Sequence, residues 1–171
     1  MKLVELTATE NFGYRQFLVE GIRKHQDCFR STPADQLNKP FPTNGASDSF
    51  TLGLLNSANE LAGVVSFKRE SQYHQKFRHK GLLFGMYVAD EYSGQGLGRT
   101  LLVETIHRVR LVPDLEQINL TVIATNFRAK RQYEKLGFRS FSFEKNAIKD
   151  GDIYYDEELM VLFMNNPSAP I

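Results

Sequence analysis

Met86-Tyr87-Val88-Ala89-Asp90-Glu91-Tyr92-Ser93-Gly94-Gln95-Gly96-Leu97-Gly98-Arg99 is the stretch that decides how this chain folds. The run leading into it, Gly81 to Ala89, is the most apolar in the sequence and predicts a strand with both faces buried. Glycines at every second position then allow a tight turn. Beyond them Leu102, Ile106 and Val109 recur at i, i+4 and i+7, which predicts an amphipathic helix over Gly98 to Leu111, stopped by Pro113. A strand that turns through glycines into a helix presents the unpaired first amides and the positive end of the helix dipole to an anion, best a phosphate or pyrophosphate. Spacing alone leaves two readings open, an anion cradle or a plain connection. No Gly-Lys-Ser/Thr follows, so the turn is not a P-loop. The glycines alternate, which is a poor match to the dinucleotide-binding G-x-G-x-x-G.

The sequence on either side predicts one mixed α/β arrangement. Upstream, Lys2 to Thr7 reads as an edge strand with Val4 and Leu6 on one face. Glu10 to Phe29 reads as a helix carrying Tyr14, Leu18, Ile22 and Phe29. Residues 31–49 form a long proline-rich connection with room for a short helix near Ala34 to Leu37. Ser49 to Asn56 and Glu60 to Arg69 flank a polar tripeptide as in a hairpin. Downstream, Gln117 to Ala124 is a strand with Ile118, Leu120 and Val122 on one face. Asn126 to Leu136 is a helix capped by Asn126 and ended by Gly137. Arg139 to Ile148 meets a strand from Ile153 onward across Asp150-Gly151. The tail NNPSAPI is expected to fray. Hairpins mixed with β-α-β units imply a mixed sheet with helices on its faces.

The 171 residues fit a single domain spanning 1–171. Lys plus Arg number 21 against 20 Asp plus Glu, which argues against a dedicated nucleic-acid binder. The lone Cys28 excludes an internal disulfide and any Cys-based zinc site, and no metal is expected. No signal-peptide pattern opens the sequence, and the longest nearly apolar run is far short of the ~20 residues of a membrane span. The expectation is a soluble, cytoplasmic protein without a membrane partner.

A second segment, Asn126-Phe127-Arg128-Ala129-Lys130-Arg131-Gln132-Tyr133-Glu134-Lys135-Leu136-Gly137-Phe138, completes a pair of motifs. Together, YVADEYSGQGLGRTLL and N-x-x-A-x-x-x-Y-E-K-L-G-F resemble the GCN5-related N-acetyltransferase (GNAT) superfamily. The resemblance is close from Met86 to Phe138. It implies the acyl-CoA N-acyltransferase fold, a mostly antiparallel sheet that splays at the cofactor site, and acetyl-CoA as co-substrate. It implies transfer of acetyl to a primary amine of a small molecule or peptide by direct attack in a ternary complex. Backbone groups in the segment Met86, Tyr87 and Val88, those of Met86 and Val88 above all, would pair with the pantetheine arm like an added strand. Amides from Gly94, Gln95, Gly96, Leu97, Gly98 and Arg99 would cradle the pyrophosphate. Asn126 would bond the pantetheine or cap its helix. Tyr133 would protonate the leaving thiolate, although Ala129, Tyr133 and Leu136 also form a core stripe.

Two departures from the family pattern stand out. Ser93 occupies a position where the family usually has Arg or Gln, which implies one fewer contact to the phosphates. The familiar general-base positions hold Leu82, Phe84 and Thr121. His74 and His79 sit in a basic stretch that reads as a hairpin tip. His25 and His107 read as helix-surface or interhelix residues, and Cys28 reads as packed. The basic run Arg128, Lys130, Arg131, Lys135 and Arg139 fits either the adenosine phosphate or a solvated helix. The acidic run Asp150, Asp152, Asp156, Glu157 and Glu158 borders the expected acceptor entrance and suits a cationic amine, or is ordinary surface charge. The long loop, with Phe41 and Phe50, is expected to wall the acceptor site. The missing base also fits an alternative, a non-catalytic acyl-CoA-binding or sensor module. A homodimer is compatible with the sequence and not readable from it.

Overall fold

A computed structural model describes residues 1–37, 39–71 and 73–164. The expectation for the C-terminal tail therefore lies outside the described residues. Seven strands form one sheet in the order β1-β2-β3-β4-β5-β7-β6. They are β1 (Lys2–Leu6), β2 (Ser49–Leu55), β3 (Leu61–Arg69), β4 (Lys80–Val88), β5 (Gln117–Ile123), β6 (Arg139–Asp150) and β7 (Ile153–Phe163). Four helices accompany them: α1 (Asn11–Lys24), α2 (Pro33–Leu37), α3 (Leu97–Arg110) and α4 (Phe127–Lys135). Every pairing is antiparallel except that of β4 with β5. Among the described residues no helix is long and apolar enough to cross a membrane.

The two faces of the sheet bury different residues, as the period of two in a strand requires. Val65 packs with α3 and α4, and its neighbour Val64 packs with α1. On the α3 side Leu102, Ile106 and Val109 are buried with Ile118, Leu120 and Val122, so both predicted stripes meet in one core. On the α1 side Leu6, Tyr14, Leu18 and Tyr87 form a smaller cluster, with Val4 packed against it.

The first helix is shorter than its periodicity predicts. It ends at Lys24, His25 leaves the helical region at φ −137°, and a 3-10 turn follows over Gln26–Cys28. Phe29 still lies 5.8 Å from the Tyr87 ring. The apolar contact that made the helix look continuous is thus kept by a turned backbone, which frees the chain to cross toward β5.

The sheet parts in its middle. Only three residue pairs join β4 to β5, Lys80 with Gln117, Gly81 with Ile118 and Leu82 with Asn119. From Leu83 to Val88, β4 keeps only β3 beside it, while β5 continues against β7. A bulge helps to turn β4 away: Phe84 faces Ser66 and Tyr87 faces Val64, which leaves Gly85 and Met86 opposite Val65. Gly85 takes φ +61°, a conformation that glycine alone adopts without strain. Consequently β4 is only half-buried at Leu82, Phe84, Met86 and Val88, and not buried on both faces as its composition predicts. Where the strands still touch, Arg69 is nearly buried and holds three segments. Its Nε donates to Asp48 at 2.7 Å, one terminal nitrogen to Asp114 at 3.0 Å, and the other to the carbonyl of Arg78.

Candidate active site

The parted strands open a cavity of about 840 Å³, within the range of sites that enclose a small ligand. One wall is β4, another is β5 with α4, the α1–α2 connection closes one side, and the glycine turn lies at the mouth. Because no strand among the described residues covers this edge of β4 beyond Leu82, its backbone faces the opening. Met86 and Val88 stand on that edge. Tyr87 contributes backbone there too, but its side chain lies beneath α1, with its ring 5.0 Å from Phe17. Its buried hydroxyl has no hydrogen-bond partner.

The glycine turn has the form an anion site needs. Gly94 and Gly96 both take φ +79°, and a Cβ at either would meet nothing within 4 Å, so the space above the turn is open. Gly96 is the N-cap of α3 and no side chain caps it, which leaves the amides of Leu97, Gly98 and Arg99 free for a ligand. Gly98 is different: a Cβ there would lie 2.9 Å from Gln132 and 3.1 Å from Met86, so α3 approaches α4 and β4 closely at this point. Gln95 does not line the cavity; its side-chain amide donates to the carbonyl of Glu91. Ser93, where the family pattern has a longer polar residue, accepts a hydrogen bond from Arg128 at 2.6 Å. A cation of α4 is thereby brought to the turn, and Arg99 and Arg128 both line the cavity.

Tyr133 and Asn126 sit on the opposite wall. Asn126 caps α4, its Oδ1 accepting the Ala129 amide at 3.1 Å, so of its two expected roles this is the one in place. Tyr133 is both a core residue and a cavity residue, 8% exposed, with its ring 5.8 Å from Phe138. Burial pushes its phenol up to about 12, with no hydrogen bond contributing. The hydroxyl therefore stays protonated across physiological pH and can donate a hydrogen bond but not act as a phenolate base.

Leu82, Phe84 and Thr121 do line the cavity, and none of them can take a proton from an amine. His74 and His79 are not among the lining residues; His74 is exposed and bonded to Ser71. His107 is exposed on α3. His25, expected on a helix, stands just past the end of α1, lines the cavity, and is 2.8 Å from Asp90. Cys28 lies in the 3-10 turn, not in the first helix, and also lines the cavity. Burial and the neighbouring Asp27 raise its thiol, which disfavours the thiolate a nucleophile needs.

Several residues that shape the acceptor side were not singled out from the sequence. Arg15, on α1, is 6% exposed and lines the cavity. It donates to Gln36 at 2.6 Å and to the carbonyl of Pro40, while its Nε is buried without a partner. Lys68 lines the cavity with its ammonium 5.3 Å from the Phe84 ring centre. Glu157, expected in an acidic rim, is 2% exposed and sits 2.5 Å from Nε of the exposed Arg30. Glu158 is held by Lys130 and by Ser140. Glu158 is thus hydrogen-bonded, whereas the buried Glu157 Oε1 has Arg30 as an ion-pair neighbour but no hydrogen-bond partner. Gln36 and Lys39 of the long loop line the cavity as expected. Phe41 packs on Tyr14 at 5.3 Å, but Phe50 belongs to the core on the α3 side and walls nothing here.

The acetyltransferase (GNAT) family model matches residues 18–138, from α1 to the end of the second motif. The chain belongs to this family. Among solved structures, the GNAT-family acetyltransferase from Streptococcus pneumoniae superposes with a TM-score of 0.78 at 22% identity, covering 95% of this chain and 98% of that one. NAA60 of Arabidopsis thaliana, in complex with a bisubstrate analogue, superposes at 0.71 with 21% identity, covering 96% and 100%. At these identities the likeness establishes the fold. An N-alpha-acetyltransferase of Saccharolobus solfataricus is 32% identical over 76 residues, 44% of this chain and 46% of that protein. N-alpha-acetyltransferase 40 of Saccharomyces cerevisiae is 37% identical over 62 residues, 33% of this chain and 22% of its own length. The matched stretches therefore span less than half of either curated relative. Within the GNAT fold, the parted strands, the uncapped helix and the open glycine turn all belong to one cavity.

Proposed function

We propose that this GNAT protein is an acetyl-CoA-dependent N-acetyltransferase that acts on a primary amine within a ternary complex. The observation that carries the reading is the continuity of the cavity, from the uncapped start of α3, along the unpaired edge of β4, to Tyr133. The amides of residues 94–99 suit a pyrophosphate, with Arg99 and Arg128 beside them. The edge of β4 at Met86 and Val88 suits the two amides of a pantetheine arm, which can add to a strand as a peptide does.

Transfer requires an unprotonated amine to attack the thioester carbonyl, the carbon–sulfur bond to break, and the sulfur to leave as thiolate or thiol. Tyr133 holds a proton toward the departing sulfur. Thiols titrate near ~8.5, so complete transfer from a phenol near 12 is uphill by about 5 kcal/mol. Tyr133 accordingly acts as a hydrogen-bond donor to developing negative charge, and the proton moves late or comes from solvent. With aliphatic, aromatic and hydroxyl side chains at the three familiar base positions, the acceptor is taken up already neutral or loses its proton to water. Cys28, with its raised thiol, makes direct attack the simpler route than an acetyl-cysteine.

Calorimetric titration with acetyl-CoA, using ATP as competing ligand, tests the binding part. One-site binding of acetyl-CoA without ATP binding supports it. Free-thiol release over a panel of amines then separates an enzyme from an acyl-CoA sensor. Binding without amine-dependent thiol release in any member favours the sensor.

A further inference from the structure

The cavity is lined by six Arg and Lys side chains and by one carboxylate, that of Asp90. Arg99 and Arg128 stand at the glycine turn, where the phosphates of the co-substrate suit them. Arg30 is paired with Glu157, and Asp90 is paired with His25. Arg15, Lys39 and Lys68 remain on the acceptor side, and none of them has a carboxylate partner among the described residues.

Arg15 is the informative member. Buried charges are almost always paired, because an unpaired one loses its hydration without compensation. Arg15 is only 6% exposed, and its two bonded nitrogens reach only a neutral amide oxygen and a backbone carbonyl. Its third nitrogen has no partner. Its guanidinium lies 5.2 Å from the Tyr14 ring, and the Tyr14 hydroxyl lies 3.1 Å from where a Cβ of Gly85 would stand. Lys68 approaches the same bulge from β3, over Phe84. Lys68 and Ser66 share the α1 face of β3, since Ser66 bonds Tyr14. Two cations from different elements thus line the cavity that the parted sheet opens, Lys68 over Phe84 and Arg15 against the Tyr14 ring.

We propose that the acceptor carries an anionic group beside its amine, a carboxylate or similar oxyanion, received by Arg15 with Lys68 and Lys39. The proposal rests on the acetyltransferase reading and names the substrate class of that site. It reverses the expectation of a cationic acceptor drawn from the acidic run. The anion has two sources, the α-carboxylate of a free amino acid or an acidic side chain in a peptide, and the same cations serve both.

The test uses the full chain and twin acceptors that differ in the anion, with rates compared per unprotonated amine because an α-carboxamide lowers the pKa of the amine beside it. The first pair is L-methionine and L-methioninamide, and the second is Met-Glu-amide and Met-Gln-amide. Thiol release gives kcat/KM for each. Calorimetric binding of each N-acetylated twin to the CoA-loaded protein gives a readout that needs no turnover. In at least one pair the anionic twin is expected to lead by about tenfold, the scale of one charge-assisted hydrogen bond. The pair that shows it identifies the source. The lead shrinks at about 0.5 M salt. Arg15 anchors the α2 loop, so its replacement risks unfolding. Lys68→Gln and Lys39→Gln alter exposed residues instead and are expected to lower the anionic-to-neutral ratio several-fold. Neutral twins that match or exceed the anionic ones in both pairs overturn the proposal, as does a ratio unmoved in the double variant. Failure of acetyl-CoA to bind refutes the acetyltransferase reading separately, and the N-acetylated twins titrated into the unliganded protein still decide the anion site.

Discussion

Replacing Tyr133 with Phe removes one oxygen from the wall of the cavity, and the structure fixes how large the effect should be. The hydroxyl is raised to about 12 by burial alone, with no hydrogen bond to lose, so Tyr133→Phe should change stability by about 1 kcal/mol or less. The ring keeps its packing against Phe138. What is lost, on the proposed reading, is a donor to a sulfur becoming anionic. A hydrogen bond to a charged group contributes about 1.5–3 kcal/mol, which predicts a fall in kcat of roughly 10- to 150-fold. Affinity for acetyl-CoA should stay close to wild type, because the bond strengthens only as the thiolate forms. The assay is free-thiol release at saturating acetyl-CoA, with calorimetry for affinity and a thermal melt to confirm folding. A kcat within about twofold of wild type removes Tyr133 from the mechanism. A loss beyond about 1,000-fold refutes the uphill-transfer argument, since only full proton transfer in the transition state reaches that scale.

Three further outcomes follow from the site. Gly96→Asp should fold with a strain of about 1 kcal/mol at φ +79°, yet lose acetyl-CoA affinity about 100-fold or more by setting a carboxylate against phosphates; calorimetry and a melt together check both halves. Arg128→Ala should weaken acetyl-CoA about two- to fivefold at low ionic strength and by less in high salt, because the guanidinium that Ser93 holds is exposed. In a pH series, kcat/KM should rise as the acceptor amine deprotonates. It should not fall again below about pH 10, because Tyr133 keeps its proton until its own raised value near 12.

The strands and helices that carry long apolar periods were legible in the sequence, and so was the glycine turn. The stripes Leu102, Ile106, Val109 and Ile118, Leu120, Val122 end in one core because local period and tertiary burial agree there. The first helix was read too long because Phe29 keeps the apolar period, and period cannot tell a continued helix from a turn that returns the same side chain to Tyr87. Phe50, at the start of a predicted strand, was expected on the acceptor wall because hydrophobicity does not say which side of a sheet a residue faces. The acceptor side was the least legible. Arg15 falls in line with Val19 and Ile22 at i, i+4 and i+7, and Glu157 alternates with Leu159 and Val161. Charges standing at inward positions were the available signal. Their meaning depends on partners from distant segments, such as Gln36 and Arg30, which no local pattern encodes.

The knot at Arg69 gives the parted sheet a mechanical character. Asp48 leads into β2, Arg78 precedes β4 and Asp114 precedes β5, and one guanidinium fastens all three at the end where the strands still touch. The sheet is built like a clothes-peg: a short pivot of three residue pairs, a spring of buried charge behind it, and two long jaws that grip whatever lies between them. The three segments that Arg69 ties together therefore meet at the one place where β4 and β5 are joined, the closed end of the opening.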